Sequence, residues 1–210
     1  LMRAVSGLMY PTSGSIRIDG KVLGKNMAFP EKIGMLIENP AFIDSYTGYD
    51  NLKMLASINK GEVDISGALE TVGLNPQDKR KYRKYSLGMK QRLGIALALV
   101  GEPDLLILDE PINGLDPQGI VEVRETIQKL AKERGMTICI SSHILEELSK
   151  IATDYGIIHN GCLVQELTRE ELMKKCSERI ELTLDNPKQA VPVLSLIHIS
   201  EPTRRSYISY

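Results

Sequence analysis

Hydrophobic and polar positions along this chain follow two different periods. Ile16 and Ile18 alternate with polar residues in SIRIDG, and KVL follows Gly20, so two short strands are expected there. Pro11, Ser13, Gly14 and Gly20 punctuate them as turn residues. KIGMLIE, residues 32–38, reads as a further strand. From Asp50 to about Val72 the spacing turns helical, through Leu52, Leu55, Ala56, Ile65, Leu69 and Val72. Leu1, Val5, Leu8 and Met9 also recur at helical spacing, but no Ser, Thr, Asp or Asn precedes Leu1 as a cap. SLGMKQRLGIALALVG is predicted to be a helix with Ser86 as its N-cap, reached through the basic stretch NPQDKRKYRKY.

The second half alternates strand and helix. DLLILD is a buried strand and PQGIVEVRETIQKLAKER a long amphipathic helix. MTICISS, DYGIIHNG, CLVQEL and RIELTL are strands; ILEELSKIA and TREELMKKC are helices. Apolar strands between helices predict an α/β fold with a parallel sheet covered on both faces. Residues 40–100 interrupt that alternation as a helical insertion.

Composition narrows the function classes. The 26 basic and 27 acidic residues nearly cancel, so bulk charge gives no case for nucleic acid or an acidic membrane surface. Trp is absent and Phe occurs twice, which removes the aromatic platform on which single strands stack. The basic run KRKYRKY, Lys79 to Tyr85, is then expected to be a solvated loop. Cys139, Cys162 and Cys176 have no short metal-type spacing and are expected to be reduced structural residues, with Cys139 buried in MTICIS. No apolar run approaches the ~20 residues of a membrane span. Residues 194–204, LSLIHISEPTR, resemble the translation of a sequencing adapter, so residues 194–210 are set apart as non-native and His198 is given no role.

The chemistry concentrates in DLLILDEPINGLDP, residues 104–117. A buried strand delivers Asp109 and Glu110 at its carboxyl end, where open α/β sheets bind ligands. Asp109 suits a hard cation such as Mg²⁺, and Glu110 suits the deprotonation of an attacking water. Pro111 and Gly114 then turn the chain before Asp116. In YSLGMKQRL, Ser86 and Gly88 open a helix whose free N–H groups can face a phosphate. His143 ends SSH just beyond a strand.

With these motifs the chain resembles the nucleotide-binding domain of an ABC transporter. Asp109 and Glu110 match the Walker B acid and catalytic glutamate; Leu115 and Asp116 match the D-loop, with Ile112 in place of the usual Thr, and the match implies that Asp116 is an ATP-binding residue. Ser86, Leu87, Gly88 and Met89 match the signature, with Leu87 where Gly is usual and Met89 where Gln is usual. His143 matches the switch histidine. Glu38 stands where most such domains carry Gln; with NPAF after it, the chain resembles the bacitracin-resistance and lantibiotic-immunity branch.

The resemblance implies a P-loop NTPase-like fold over residues 1–193, with a helical subdomain at about 40–100. It implies ATP and Mg²⁺ as ligands, and Glu38 beside Asp109 as a metal-site residue. It further implies a homodimeric partner ATP-binding subunit whose signature completes each site, and a separate transmembrane permease. That places the protein on the cytoplasmic face of the membrane, exporting peptide antibiotics. The phosphate loop G-x-x-x-x-G-K-[ST] occurs nowhere in the 210 residues, so this chain by itself is expected to be inactive. A soluble ABC ATPase acting on ribosomes or DNA is the alternative.

Overall fold

The computed structural model describes residues 1–18, 20–23, 32–37, 40–58 and 63–176. It divides into two compact units, Leu1–Ile151 and Ala152–Tyr210. Glu38 and the expected strand RIELTL lie outside the described residues.

In the first unit, α1 (Met2–Val5) is followed by a hairpin of β1 (Ile16–Ile18) and β2 (Lys21–Leu23). The helical spacing of residues 1–9 yields only that short helix. Gly7 takes a left-handed φ of 73° and stops it, and Leu1, Leu8 and Met9 are exposed, so no partner among the described residues extends the apolar stripe.

Among the described residues the main sheet has three parallel strands, β3 (Ile33–Leu36), β4 (Leu105–Asp109) and β5 (Thr137–Ser141), in that order. Between β3 and β4 the chain makes α2 (Gly48–Ala56), α3 (Ile65–Thr71) and α4 (Leu87–Leu99), the expected helical insertion. The Tyr82–Lys84 segment of the basic run forms a single 3₁₀ turn. The helix α5 (Pro117–Arg134) crosses from β4 to β5, and α6 (Leu145–Ser149) follows.

The central strand β4 buries Leu106, Ile107 and Leu108 almost completely, as its unbroken apolar run requires. By contrast β5 has one neighbour among the described residues and alternates exposed and half-buried positions. Cys139 is therefore exposed, not buried as its apolar neighbours suggest. Partial desolvation still raises its thiol pKa above the ordinary value.

Two features fix α4, the element that begins at Ser86. Its body lies close against β3: a Cβ added at Gly34 would land on the carbonyl oxygen of Ala98, and one at Gly94 would come 2.9 Å from Leu36 Cδ1. Its Arg92 then joins three helices. The guanidinium donates to the carbonyls of Val72 (3.1 Å) and Gly73 (3.0 Å) at the end of α3, and pairs with Glu122 of α5 at 2.8 Å. Arg134 reaches the same helix end by donating to Thr71 Oγ1 at 2.7 Å. Two cations thus meet the carbonyl end of α3, where the helix dipole favours them.

The start of α2 is set by a capping box between Thr47 and Asp50. Beside it, fully buried Asn51 holds the preceding loop: its Nδ2 donates to the carbonyls of Ile43 (3.1 Å) and Thr47 (3.0 Å), and its Oδ1 accepts from Ile43 N–H (2.7 Å). Asn51→Ala strands those groups away from water. We expect it to destabilise the chain by about 2 kcal/mol in urea denaturation, whereas a loss under about 0.5 kcal/mol would mean the loop re-pairs its backbone elsewhere.

The second unit contains an antiparallel hairpin of β6 (Asp154–His159) and β7 (Cys162–Thr168), turned at Asn160-Gly161, and then α7 (Arg169–Cys176). Thr168 and Glu171 cap that helix reciprocally, with Thr168 N–H donating to Glu171 at 2.8 Å.

Candidate functional site

The carboxyl ends of β4 and β5 bring three of the sequence-predicted residues together. Asp109 is the last residue of β4, and its partner in the β4–β5 register is Ser141. The next residue, Glu110, takes a left-handed φ of 49°, a conformation that a side-chain-bearing residue adopts at some strain. That kink leaves the strand direction and turns the Glu110 side chain to His143, whose Nδ1 lies 2.9 Å from Glu110 Oε2. Both side chains remain open to solvent, 36% exposed for Glu110 and 63% for His143. A carboxylate beside an imidazole, both reachable by water, can accept a proton and hold the water that gives it up.

Ser141 is not among the residues that the motifs single out. Its hydroxyl donates to Asp109 Oδ1 and accepts the Glu110 backbone N–H at 2.9 Å. The sequence does hold a signal for it: Asp109 and Ser141 are the first polar residues after the apolar runs LLIL and ICI. Equal register in a parallel pair places them on one face.

Helix α6 orients the segment that carries His143. Ser142 Oγ accepts Ile144 N–H at 3.0 Å, and Glu147 pairs with Arg124 of α5 at 2.8 Å and with Lys150 at 2.6 Å. Gln128 Nε2 donates to the Lys150 carbonyl at 3.0 Å. The Lys150 hydrogen bond foremost, with Arg124 behind it, holds the Glu147 carboxyl below its ordinary pKa of 4.5. A depressed carboxyl pKa stabilises the fold above the unfolded value and loses that contribution as pH falls through the folded value. The melting temperature of the Glu147→Gln chain should therefore lie below that of the parent at about pH 7, with the gap narrowing as pH falls below 4.5 and through the depressed folded-state value. A gap that persists at the acid end would show that the carboxylate charge is not its source.

The helix starts form the second group. Ser86 caps α4 as expected, accepting Met89 N–H at 3.2 Å, and is itself exposed. Leu87 is 48% exposed, while Met89 is half-buried and packs against the core. Gly88 is buried because α5 passes beside it: a Cβ there would come 3.2 Å from the Gly119 Cα. Asp116 is the N-cap of α5, accepting Gly119 N–H at 3.3 Å, with Pro117 in the first turn. Gly114 takes φ 71°, and a Cβ on it would lie 3.7 Å from Leu87 Cδ2. The turn after Glu110 and the start of α4 are thus packed together within one chain.

No cluster of three or more His, Cys, Asp or Glu side chains able to hold a metal occurs among the described residues. That donor set fits Mg²⁺ poorly as a caged ion but well as one held by a single carboxylate, with water and phosphate oxygens as the other ligands.

Residues 1–113 match the model of the ABC transporter family. The chain is 45% identical over 207 residues to a bacitracin transport ATP-binding protein of Enterococcus faecalis, covering 96% of this chain and 67% of that one. It belongs to the ABC transporter family. The motif-based resemblance to its bacitracin and lantibiotic branch is matched by these relatives. A lantibiotic transport ATP-binding protein of Streptococcus pyogenes is 46% identical over 167 residues, 79% of this chain and 72% of that one. The chain spans about two-thirds of the bacitracin relatives, 67% of the Enterococcus protein and 64% of its Bacillus licheniformis counterpart.

Two ABC structures share the fold. One is cbiO1 of Clostridium perfringens, part of the transporter complex cbiONQ, at TM-score 0.72 and 24% identity, covering 93% of this chain and 77% of that one. The other is the ATP-binding cassette MJ0796, a dimer in a post-hydrolysis state bound to ADP and Pi, at TM-score 0.66 and 21% identity, covering 80% and 78%. The α/β reading with a parallel sheet and helical insertion is thereby borne out.

Proposed function

We propose that this chain belongs to the ATP-hydrolysing subunit of an ABC exporter for peptide antibiotics or related drugs. The observation that carries this reading is the pair Glu110 and His143, 2.9 Å apart at the end of β4, directly after Asp109. The bacitracin and lantibiotic transport relatives favour export over action on ribosomes or DNA.

The reaction is transfer of the γ-phosphoryl group of ATP to water, which depends on positioning and charge neutralisation. Glu110 takes the proton of the attacking water, and His143 holds that water in line. Asp109 would hold Mg²⁺, and the ABC resemblance gives Glu38 as a second residue for that ion; when bound, the ion would supply charge neutralisation to the phosphate. Asp116 maintains the turn between the two half-sites. Ser86, Leu87, Gly88 and Met89 offer the start of α4 to the nucleotide of a second copy, since Ser86 and Leu87 face solvent. Closure of two copies around ATP then moves a separate permease. This reading, which rests on the transport relatives, places the span in that partner and the chain on the cytoplasmic side; no helix among the described residues is long and apolar enough to cross a membrane. Residues 194–210 take no part in it.

The phosphate loop is absent from the 210 residues. We therefore expect turnover only when a segment carrying that loop stands ahead of Leu1. Joining the corresponding segment of the Enterococcus relative to this chain should give magnesium-dependent ATP hydrolysis. A folded joined protein that binds no ATP overturns the reading.

A further inference from the structure

We propose that Ser141 is a positioning residue that sets both acids of the site through one hydroxyl. The proposal rests on the hydrolytic reading above and adds a residue to it. The hydroxyl oxygen of Ser141 accepts the Glu110 N–H at 2.9 Å. Its single proton is then directed to Asp109 Oδ1. The chain of donors runs one way, from the Glu110 amide through Ser141 to the Asp109 carboxylate. Each bond polarises the next.

Two consequences follow from that direction. Asp109 has one oxygen engaged, and its Oδ2 has no hydrogen bond among the described residues, so the carboxylate presents a defined oxygen to a cation. Glu110 has its backbone held in the left-handed region, where φ 49° is unfavourable for a residue with a side chain. Only that backbone turn carries Glu110 off the strand direction and to His143. Ser141 can do this because β5 runs parallel to β4 in the register that pairs it with Asp109. A polar residue one position earlier or later would face the other side of the sheet.

Ser141→Ala removes both bonds and adds no bulk. Ser141→Thr keeps the hydroxyl and suits a strand. In the 210-residue chain, amide hydrogen exchange at Glu110 is expected to quicken at least about tenfold in Ser141→Ala and to return toward the parent rate in Ser141→Thr. In the joined protein, the Mg²⁺ concentration for half-maximal ATP hydrolysis should rise by about tenfold or more in Ser141→Ala, as for other residues that orient metal ligands, while ATP binding without metal stays unchanged. Thr should restore this too. Equal exchange and equal Mg²⁺ dependence in the parent and Ser141→Ala chains would overturn the proposal. The exchange measurement needs no nucleotide. An unchanged exchange rate therefore counts against Ser141 alone, and an inactive joined parent counts against the hydrolytic reading alone.

Discussion

Glu110→Gln in the joined protein is expected to lower kcat for ATP by about 10² to 10⁴-fold, with ATP binding little changed. Gln keeps the length and planarity of the side chain and can still hydrogen-bond to His143. It cannot take a proton. The loss should therefore appear in the chemical step, equivalent to about 3–5 kcal/mol of barrier. The geometry supports so large an effect because, among the described residues, Glu110 stands alone in this role. Asp109 is engaged with Ser141, and His143 Nδ1 is engaged with Glu110 itself. Asp116 is occupied as the cap of α5. A fall of less than about tenfold would assign the proton to another group.

Gly34→Ala is expected to destabilise the first unit by about 3 kcal/mol, at the upper end of overpacking effects. The added methyl meets the Ala98 carbonyl, which is backbone within α4, and comes 2.9 Å from Pro103 Cγ. Neither group can rotate away as a flexible side chain would. The unfolded chain also loses freedom, which offsets roughly 0.4–1 kcal/mol and leaves the sign unchanged. The strain resolves by moving α4 off β3, and α4 begins at Ser86, so activity of the joined protein should fall along with stability. Gly101→Ala is the control, since a Cβ there meets nothing within 4 Å. Urea denaturation of the three chains measures the stability change; equal midpoints for Gly34→Ala and the parent would contradict the close approach of α4 to the sheet.

The residues of the site differ in how far the sequence displays them. Asp109 and Glu110 stand out because an unbroken apolar strand can end in two acids only where water or a ligand meets them. Ser86 is legible as a cap, since a hydroxyl ahead of an apolar periodic run has few other uses. Asp116 reads in the sequence as the acid after a turn, matching the D-loop, and its capping of α5 emerges only with the helix in place. Ser141 stays hidden because its importance depends on strand register, which a single sequence does not display. Gly88 reads as a point of close phosphate approach; its contact with Gly119 depends on how α4 and α5 cross, again a long-range fact.

The departures from expectation have physical causes as well. Cys139 lies in an apolar run, but burial also needs a covering neighbour, and β5 has only β4 beside it among the described residues. The stripe over residues 1–9 has helical period, but Leu1, Leu8 and Met9 stay exposed and Gly7 ends the helix early. Periodicity reports which face a segment could bury. It does not report what buries it.

The most direct measurement is ATP hydrolysis by the 210-residue chain alone, beside the joined protein with and without Glu110→Gln. The expected result is turnover only in the joined protein that retains Glu110. Turnover by the 210-residue chain alone, abolished by Glu110→Gln, would contradict the requirement for an upstream phosphate-binding loop.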